Sequence, residues 1–159
     1  MTDGPPSQRH LAAIMFTDIV GFSETTGRDE ALALRLVDEH NRTMRAAFAA
    51  HGGAEIKSRG DGFHVEFQSA LKAMHCAIEI QGALRERNRD VEPGLRLLTR
   101  IGIHVGDVDP QGGDVYGEAV NIAARIEPLA EAGGIAVSQQ VVDQVRRRVD
   151  LGFVSLGRH

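Results

Sequence analysis

The 159 residues make one domain's worth of chain, and 42% hydrophobic with 25% charged is the balance of an ordinary folded domain. A net charge of −4 leaves no basic footprint of the kind that nucleic-acid binders carry, and a single cysteine, Cys76, excludes an internal disulfide and fits a reducing, cytoplasmic setting. No apolar run approaches the roughly 20 residues of a membrane-spanning helix, and the polar, proline-bearing stretch 1–10 reads as a flexible lead-in rather than a signal peptide.

The first predicted element is Leu11–Thr17, a nearly continuous apolar run that suits a buried central strand and stops at Asp18. From Asp29 to His51, positions Leu34, Val37, Asn41, Met44 and Phe48 recur three and four apart, which predicts a helix with one inward stripe, ended by Gly52-Gly53. Ala54–Ser58 and Phe63–Phe67 flank Arg59-Gly60-Asp61-Gly62, a β-hairpin pattern with Asp61 at its tip. Ser69 to Arg89 is a second amphipathic helix, with Leu71, Met74, Ala77, Ile78 and Leu84 inward. Leu95–Val108 holds a strand and Asp109–Gly113 a polar loop. Glu118–Ala130 is helical, Gly133-Gly134 turns the chain, Ile135–Ser138 is a strand, Gln139–Arg148 a helix and Phe153–Leu156 a last strand. The order β-α-β-β-α-β predicts an α+β fold, a ferredoxin-like core with additional C-terminal α/β elements, in one domain over 11–159.

Three pairs of residues stand out chemically. Asp18 and Asp61 both sit where strands give way to turns, and in a β-α-β-β unit the first strand and the following hairpin are neighbours. Two carboxylates at one sheet edge are how Mg²⁺ is held beside substrate phosphates, although an Asp in a Gly-Asp-Gly turn also serves turn geometry. Asn121 and Arg125, four apart on a helix, project from one face amid apolar neighbours. An arginine so placed can stabilise charge on a phosphoryl group, or it can be half of a solvated pair. Lys57, in a strand, and Asp114, ahead of Val115-Tyr116-Gly117, supply a donor and an acceptor that together could read a purine edge. Adenine offers an acceptor ring nitrogen and a donor exocyclic amine; guanine presents the reverse.

Phe16-Thr17-Asp18-Ile19-Val20-Gly21-Phe22-Ser23, Lys57-Ser58-Arg59-Gly60-Asp61-Gly62-Phe63, and Asp114-Val115-Tyr116-Gly117 leading to Asn121 and Arg125 resemble the class III nucleotidyl cyclases. The resemblance runs from Leu11 to the chain end and implies an adenylyl cyclase catalytic domain of the short-arm bacterial subgroup. It implies that Asp18, Asp61 and the backbone carbonyl of Ile19 bind two divalent cations, Mg²⁺ or Mn²⁺. It implies that Lys57 and Asp114 select adenine, that Asn121 orients the ribose and that Arg125 stabilises the transition state. ATP would then be converted to cyclic AMP and pyrophosphate in a head-to-tail homodimer, one subunit supplying Asp18, Ile19 and Asp61 and the other the remaining four. The spacing agrees, since Lys57 is four residues before Asp61 along extended chain, up to about 13 Å away.

The pattern also departs from the family. The chain stops at Gly157-Arg158-His159, where the family continues into a closing hairpin that often brings a lysine to the triphosphate, and no residue here matches that lysine. Arg59 stands where many members have a small residue. Two alternative readings stay open: a weak or inactive cyclase-like module that binds nucleotide or dimerises, and a guanylyl cyclase. The Gly-Gly-Asp/Glu-Glu-Phe signature of diguanylate cyclases is absent, and neither lysine follows a glycine as a P-loop requires.

Overall fold

Strand β1, His10–Ile19, lies at the centre of the sheet, antiparallel to a strand on each side. Its alternate residues face two separate cores, which is why its sequence reads as a continuous apolar run rather than an alternating one. Ala13 and Met15 join the larger core, while Ala12 and Ile14 join a smaller one on the opposite face.

The computed structural model describes residues 9–21, 29–59, 62–111 and 114–159, and within them every side chain except those of 57–59, 110, 111 and 114–116. After β1 come α1 (Glu30–Ala50), β2 (Ala54–Arg59), β3 (Gly62–Phe67), α2 (Ala70–Asn88), β4 (Thr99–Gln111), β5 (Asp114–Tyr116), α3 (Glu118–Ile126), β6 (Ile135–Val137) and α4 (Gln139–Val145). The strand order is β2-β3-β1-β4-β5, with β6 parallel to β4. Over the first four strands this is the ferredoxin-like arrangement that the element order predicts. The fold class is α+β, as expected.

The helices start where their capping residues say they should. Asp29 accepts a hydrogen bond from the Leu32 amide at 3.1 Å, and Ser69 accepts one from the Lys72 amide at 3.1 Å. Helices α1, α2 and α4 contribute Met44, Phe48, Met74, Ile80 and Val141 to the larger core, and α3 covers the other face through Ala119 and Ala123. Two glycines of β4 permit that cover. A Cβ at Gly106 would meet the Ala119 Cβ at 2.9 Å, and one at Gly102 would meet backbone atoms of Glu127 at 2.5 Å.

Four expectations need correcting. The inward stripe of α1 is Ala33, His40, Met44, Ala47 and Phe48, whereas Leu34 is 63% exposed. Ala33 and Ala47 are small residues buried on that stripe, so ranking by hydrophobicity misplaces it by one residue. The helix beginning at Glu118 ends at Ile126 and continues as a 3-10 turn over Glu127–Leu129, because Pro128 lacks the amide that an α-helix needs. The loop expected from Asp109 is strand as far as Gln111, paired with β5. Finally, 153–156 forms no strand: none of the described residues pairs with it, and Val154 is 87% exposed.

Candidate active site

Asp18 and Ile19 end the central strand. Asp18 is half-buried, and its strand partners are Gly62 on one side and Arg100 on the other. By alternation it shares a face with Ala12 and Ile14, the face that α3 covers. The Asp18 carbonyl accepts a hydrogen bond from the Thr99 hydroxyl at 2.8 Å, and one residue further the Val20 amide donates to the Leu98 carbonyl at 2.8 Å. The peptide joining Ile19 to Val20 is trans, so its carbonyl and its amide point in opposite directions. With the Val20 amide committed to the β4 side, the Ile19 carbonyl is turned toward the β3 side.

Gly62, the residue after Asp61 in the chain, sits on that side. It pairs with Asp18 and also with Arg59 across the hairpin. Asp61 itself lies outside the described residues. The buried Thr17 hydroxyl accepts from the Phe63 amide at 3.1 Å, so the hairpin base is tied to β1 by a side chain as well as by the strand ladder. A carboxylate and a peptide carbonyl at one sheet edge are hard oxygen donors, which fits a small divalent cation such as Mg²⁺ or Mn²⁺. Among the described residues, no cluster of three His, Cys, Asp or Glu side chains offers a different metal site.

Lys57 belongs to β2 and is registered against His64, whose ring stacks on Phe16 at 4.6 Å between centroids. Asp114 opens β5 and is registered against Gln111. The backbone of both is in place, whereas their side chains lie outside the described set, as does that of Arg59. Asn121 and Arg125 are both on α3, and both are exposed. The helix buries Ala119 and Ala123 against the sheet, so the polar pair is presented to solvent rather than to Asp18 of the same chain.

A cavity of about 420 Å³ opens at the N-terminal end of α3, between Arg9, His104, Asp107, Asp109 and Glu118. Among the described site residues, Asp18, Asn121 and Arg125 do not line it. Burial lowers the pKa of His104 below the ordinary imidazole value, with Glu118 opposing the shift. Burial also pushes the Cys76 thiol up to about 12, which leaves it a protonated core residue.

This fold is shared with solved nucleotide cyclase catalytic domains. The chain belongs to the adenylate and guanylate cyclase catalytic domain family, whose profile matches residues 6–158. The family generally uses divalent metal ions. The chain is 38% identical over 153 residues to a Rhizobium meliloti protein provisionally named adenylate cyclase 3, covering 96% of this chain and 26% of that one. It thus spans about a quarter of that relative's length. The solved structure of an adenylate/guanylate cyclase/hydrolase from Silicibacter pomeroyi is 38% identical, with a TM-score of 0.89 over 96% of this chain and 89% of that one. A solved guanylyl cyclase is 29% identical, with a TM-score of 0.75 over 86% of this chain and 79% of that one. No described helix is long and apolar enough to cross a membrane.

Sequence reasoning passed over Thr99 and Arg100, the two β4 residues opposite Ile19 and Asp18. A threonine ahead of the apolar series Ile101, Ile103 and Val105 was the available signal.

Proposed function

We propose that the chain is an adenylyl cyclase catalytic domain that converts ATP to cyclic AMP and pyrophosphate in a head-to-tail homodimer. The observation that carries this reading is the pairing of Asp18 with Gly62 beside an Ile19 carbonyl turned toward the β3 side. It brings the end of β1 and the hairpin that bears Asp61 to one edge, in a chain that belongs to a cyclase family.

In this reading Asp18, Asp61 and the Ile19 carbonyl hold divalent cations. Divalent cations held there would supply acidification of the ribose 3′-hydroxyl and would offset charge on the leaving phosphates. The 3′-oxygen forms a bond to the α-phosphorus, the bond from that phosphorus to the β-phosphate oxygen breaks, and the hydroxyl proton passes to solvent. Asn121 holds the ribose so that the 3′-oxygen is in line, and Arg125 donates to the α-phosphoryl oxygens as charge builds on them. Lys57 and Asp114 accept adenine by donating to its ring nitrogen and accepting from its amine. Guanine would set both against groups of the wrong polarity, at about 1–3 kcal/mol each, or about 30-fold to 10⁴-fold in total.

The exposure of Asn121 and Arg125 supports a shared site, since both are turned away from the sheet that carries Asp18. The guanylyl cyclase among the solved relatives makes GTP the competing substrate to test. The decisive assay measures cyclic AMP and cyclic GMP formed from ATP and GTP with Mg²⁺ and with Mn²⁺. Cyclic AMP at least 30-fold ahead is the expected result, comparable turnover of the two overturns the choice of base, and no product from either removes the catalytic reading.

A further inference from the structure

Thr99 is wholly buried at the start of β4, and it is the polar one of the four buried residues that open its face of that strand, where Ile101, Ile103 and Val105 follow at alternate positions. A valine would fill the same space without a hydroxyl that needs a partner. The hydroxyl is used on Asp18, whose carbonyl it meets at 2.8 Å.

That contact has a specific consequence for Ile19. The Asp18 carbonyl belongs to the peptide plane on one side of Ile19, and the Val20 amide belongs to the plane on the other side. The first is tied to Thr99 and the second to Leu98. Between two planar peptide units only the φ and ψ of Ile19 can turn, so fixing both planes fixes the direction of its carbonyl.

The clamp is itself braced. The Thr99 carbonyl accepts from the Gln81 side-chain amide at 3.1 Å and from the Gly133 amide at 2.9 Å. Gln81 is a polar residue of α2 only 4% exposed, and the same amide nitrogen also donates to the Gly134 carbonyl at 2.9 Å. Helix α2 and the turn before β6 are therefore both anchored on the residue that holds Asp18.

We propose that Thr99, braced by Gln81, is a positioning residue that sets the aim of the cation-binding end of β1. This rests on the cyclase reading, in which Asp18 and Ile19 hold the cations. A cation site needs its oxygens held within a fraction of an ångström, and strand ends are where a ladder of backbone hydrogen bonds stops supplying that rigidity. Thr99 supplies it by a side chain.

The test is a Mn²⁺ titration followed by electron paramagnetic resonance, with a non-cyclisable ATP analogue present, on the whole chain and on Asp18→Asn, Thr99→Val, Thr99→Ser and Gln81→Met. The expected result is a three- to tenfold weaker Mn²⁺ affinity in Thr99→Val, the worth of about one hydrogen bond, with affinity restored in Thr99→Ser. Thr99→Val binding Mn²⁺ like the unmodified chain while Asp18→Asn loses it overturns the positioning role and leaves the cation reading standing. Unchanged Mn²⁺ binding in Asp18→Asn overturns the cation reading and the proposal with it. Should Thr99→Val fail to fold, Gln81→Met decides: a weakening of about twofold or more supports the brace, and unchanged affinity overturns it.

Discussion

Gly102 of β4 lies directly against the backbone of Glu127, so that a methyl group there would stand 2.5 Å from both the Cα and the N atom of Glu127. The obstacle is main chain, not the end of a flexible side chain, and cannot rotate away. Gly102→Ala is expected to push the end of α3 and the following 3-10 turn off the sheet, costing about 1–3 kcal/mol of stability. Because α3 carries Asn121 and Arg125, cyclase activity should fall by more than the loss of folded protein explains. Denaturant midpoint and specific activity, measured on the same preparations, check both parts.

Arg125 is exposed, and its removal should leave the fold intact while costing about 10²–10³ in turnover, the usual worth of a group that meets charge only in the transition state. The same exposure leads to a mixing experiment. Asp18→Ala and Arg125→Ala chains are each expected to be inactive alone. Combined in equal amounts, they should regain about a quarter of normal activity, because half the dimers pair unlike chains and each of those has one intact site of two. Verified mixed dimers with no recovery would place all the site residues within one chain.

Arg87 ties three segments together. Its Nε and Nη2 donate to the Glu39 carboxylate at 2.8 and 2.9 Å, and its Nη1 donates to the Leu95 carbonyl. Asn88 completes the join by donating to the Leu97 carbonyl and accepting from the Leu97 amide. Together they hold the approach to β4, where Leu98 and Thr99 meet β1. Arg87→Met is expected to cost about 1–3 kcal/mol, as removal of charge-assisted hydrogen bonds does. The hydrogen bond from Arg87 holds the Glu39 carboxyl below its ordinary value of 4.5, so this stabilisation is present above that pH and fades as the pH falls below it. Urea unfolding at pH 7 and pH 3.5 should show the variant's deficit shrinking at the lower pH.

The parts of the fold that follow from local chemistry were legible in the sequence. Asp29 and Ser69 announce their helices by capping, and the apolar run of β1 announces a strand buried on both faces. What could not be read depends on partners distant in the chain. On α1, Ala33 and His40 are buried where the apolar spacing put Leu34 and Asn41. The stretch 153–156 has strand-like residues, yet no described backbone to pair with. At the site, Asp18 and Ile19 end β1, and Asn121 and Arg125 are exposed on α3. The role of Thr99 was hidden, because its partner is a backbone carbonyl 81 positions earlier in the chain. A motif names side chains that touch the ligand, and it is silent about hydroxyls that touch only the backbone behind them.

His104 is expected to make the stability of the fold depend on pH. It is 5% exposed, its Nδ1 lies 2.8 Å from the Ser138 hydroxyl, and burial lowers its pKa below the ordinary 6.5, with Glu118 as the opposing influence. A neutral ring can accept from the Ser138 hydroxyl, whereas a ring protonated at both nitrogens can only donate. Ser138 is also the cap of α4, accepting from the Val141 amide, so the hydroxyl serves both partners at once. The folded chain thus takes up this proton less readily than the unfolded chain. Stability contributed by neutral His104 is complete above the unfolded value of about 6.5 and declines as the pH falls through and below it. Urea midpoints at pH 7.5, 6.5 and 5.5 should fall more steeply for the unmodified chain than for His104→Gln, which keeps a hydrogen-bonding side chain but cannot titrate. Parallel curves for the two proteins would show that His104 keeps the same affinity for protons in the folded and unfolded states.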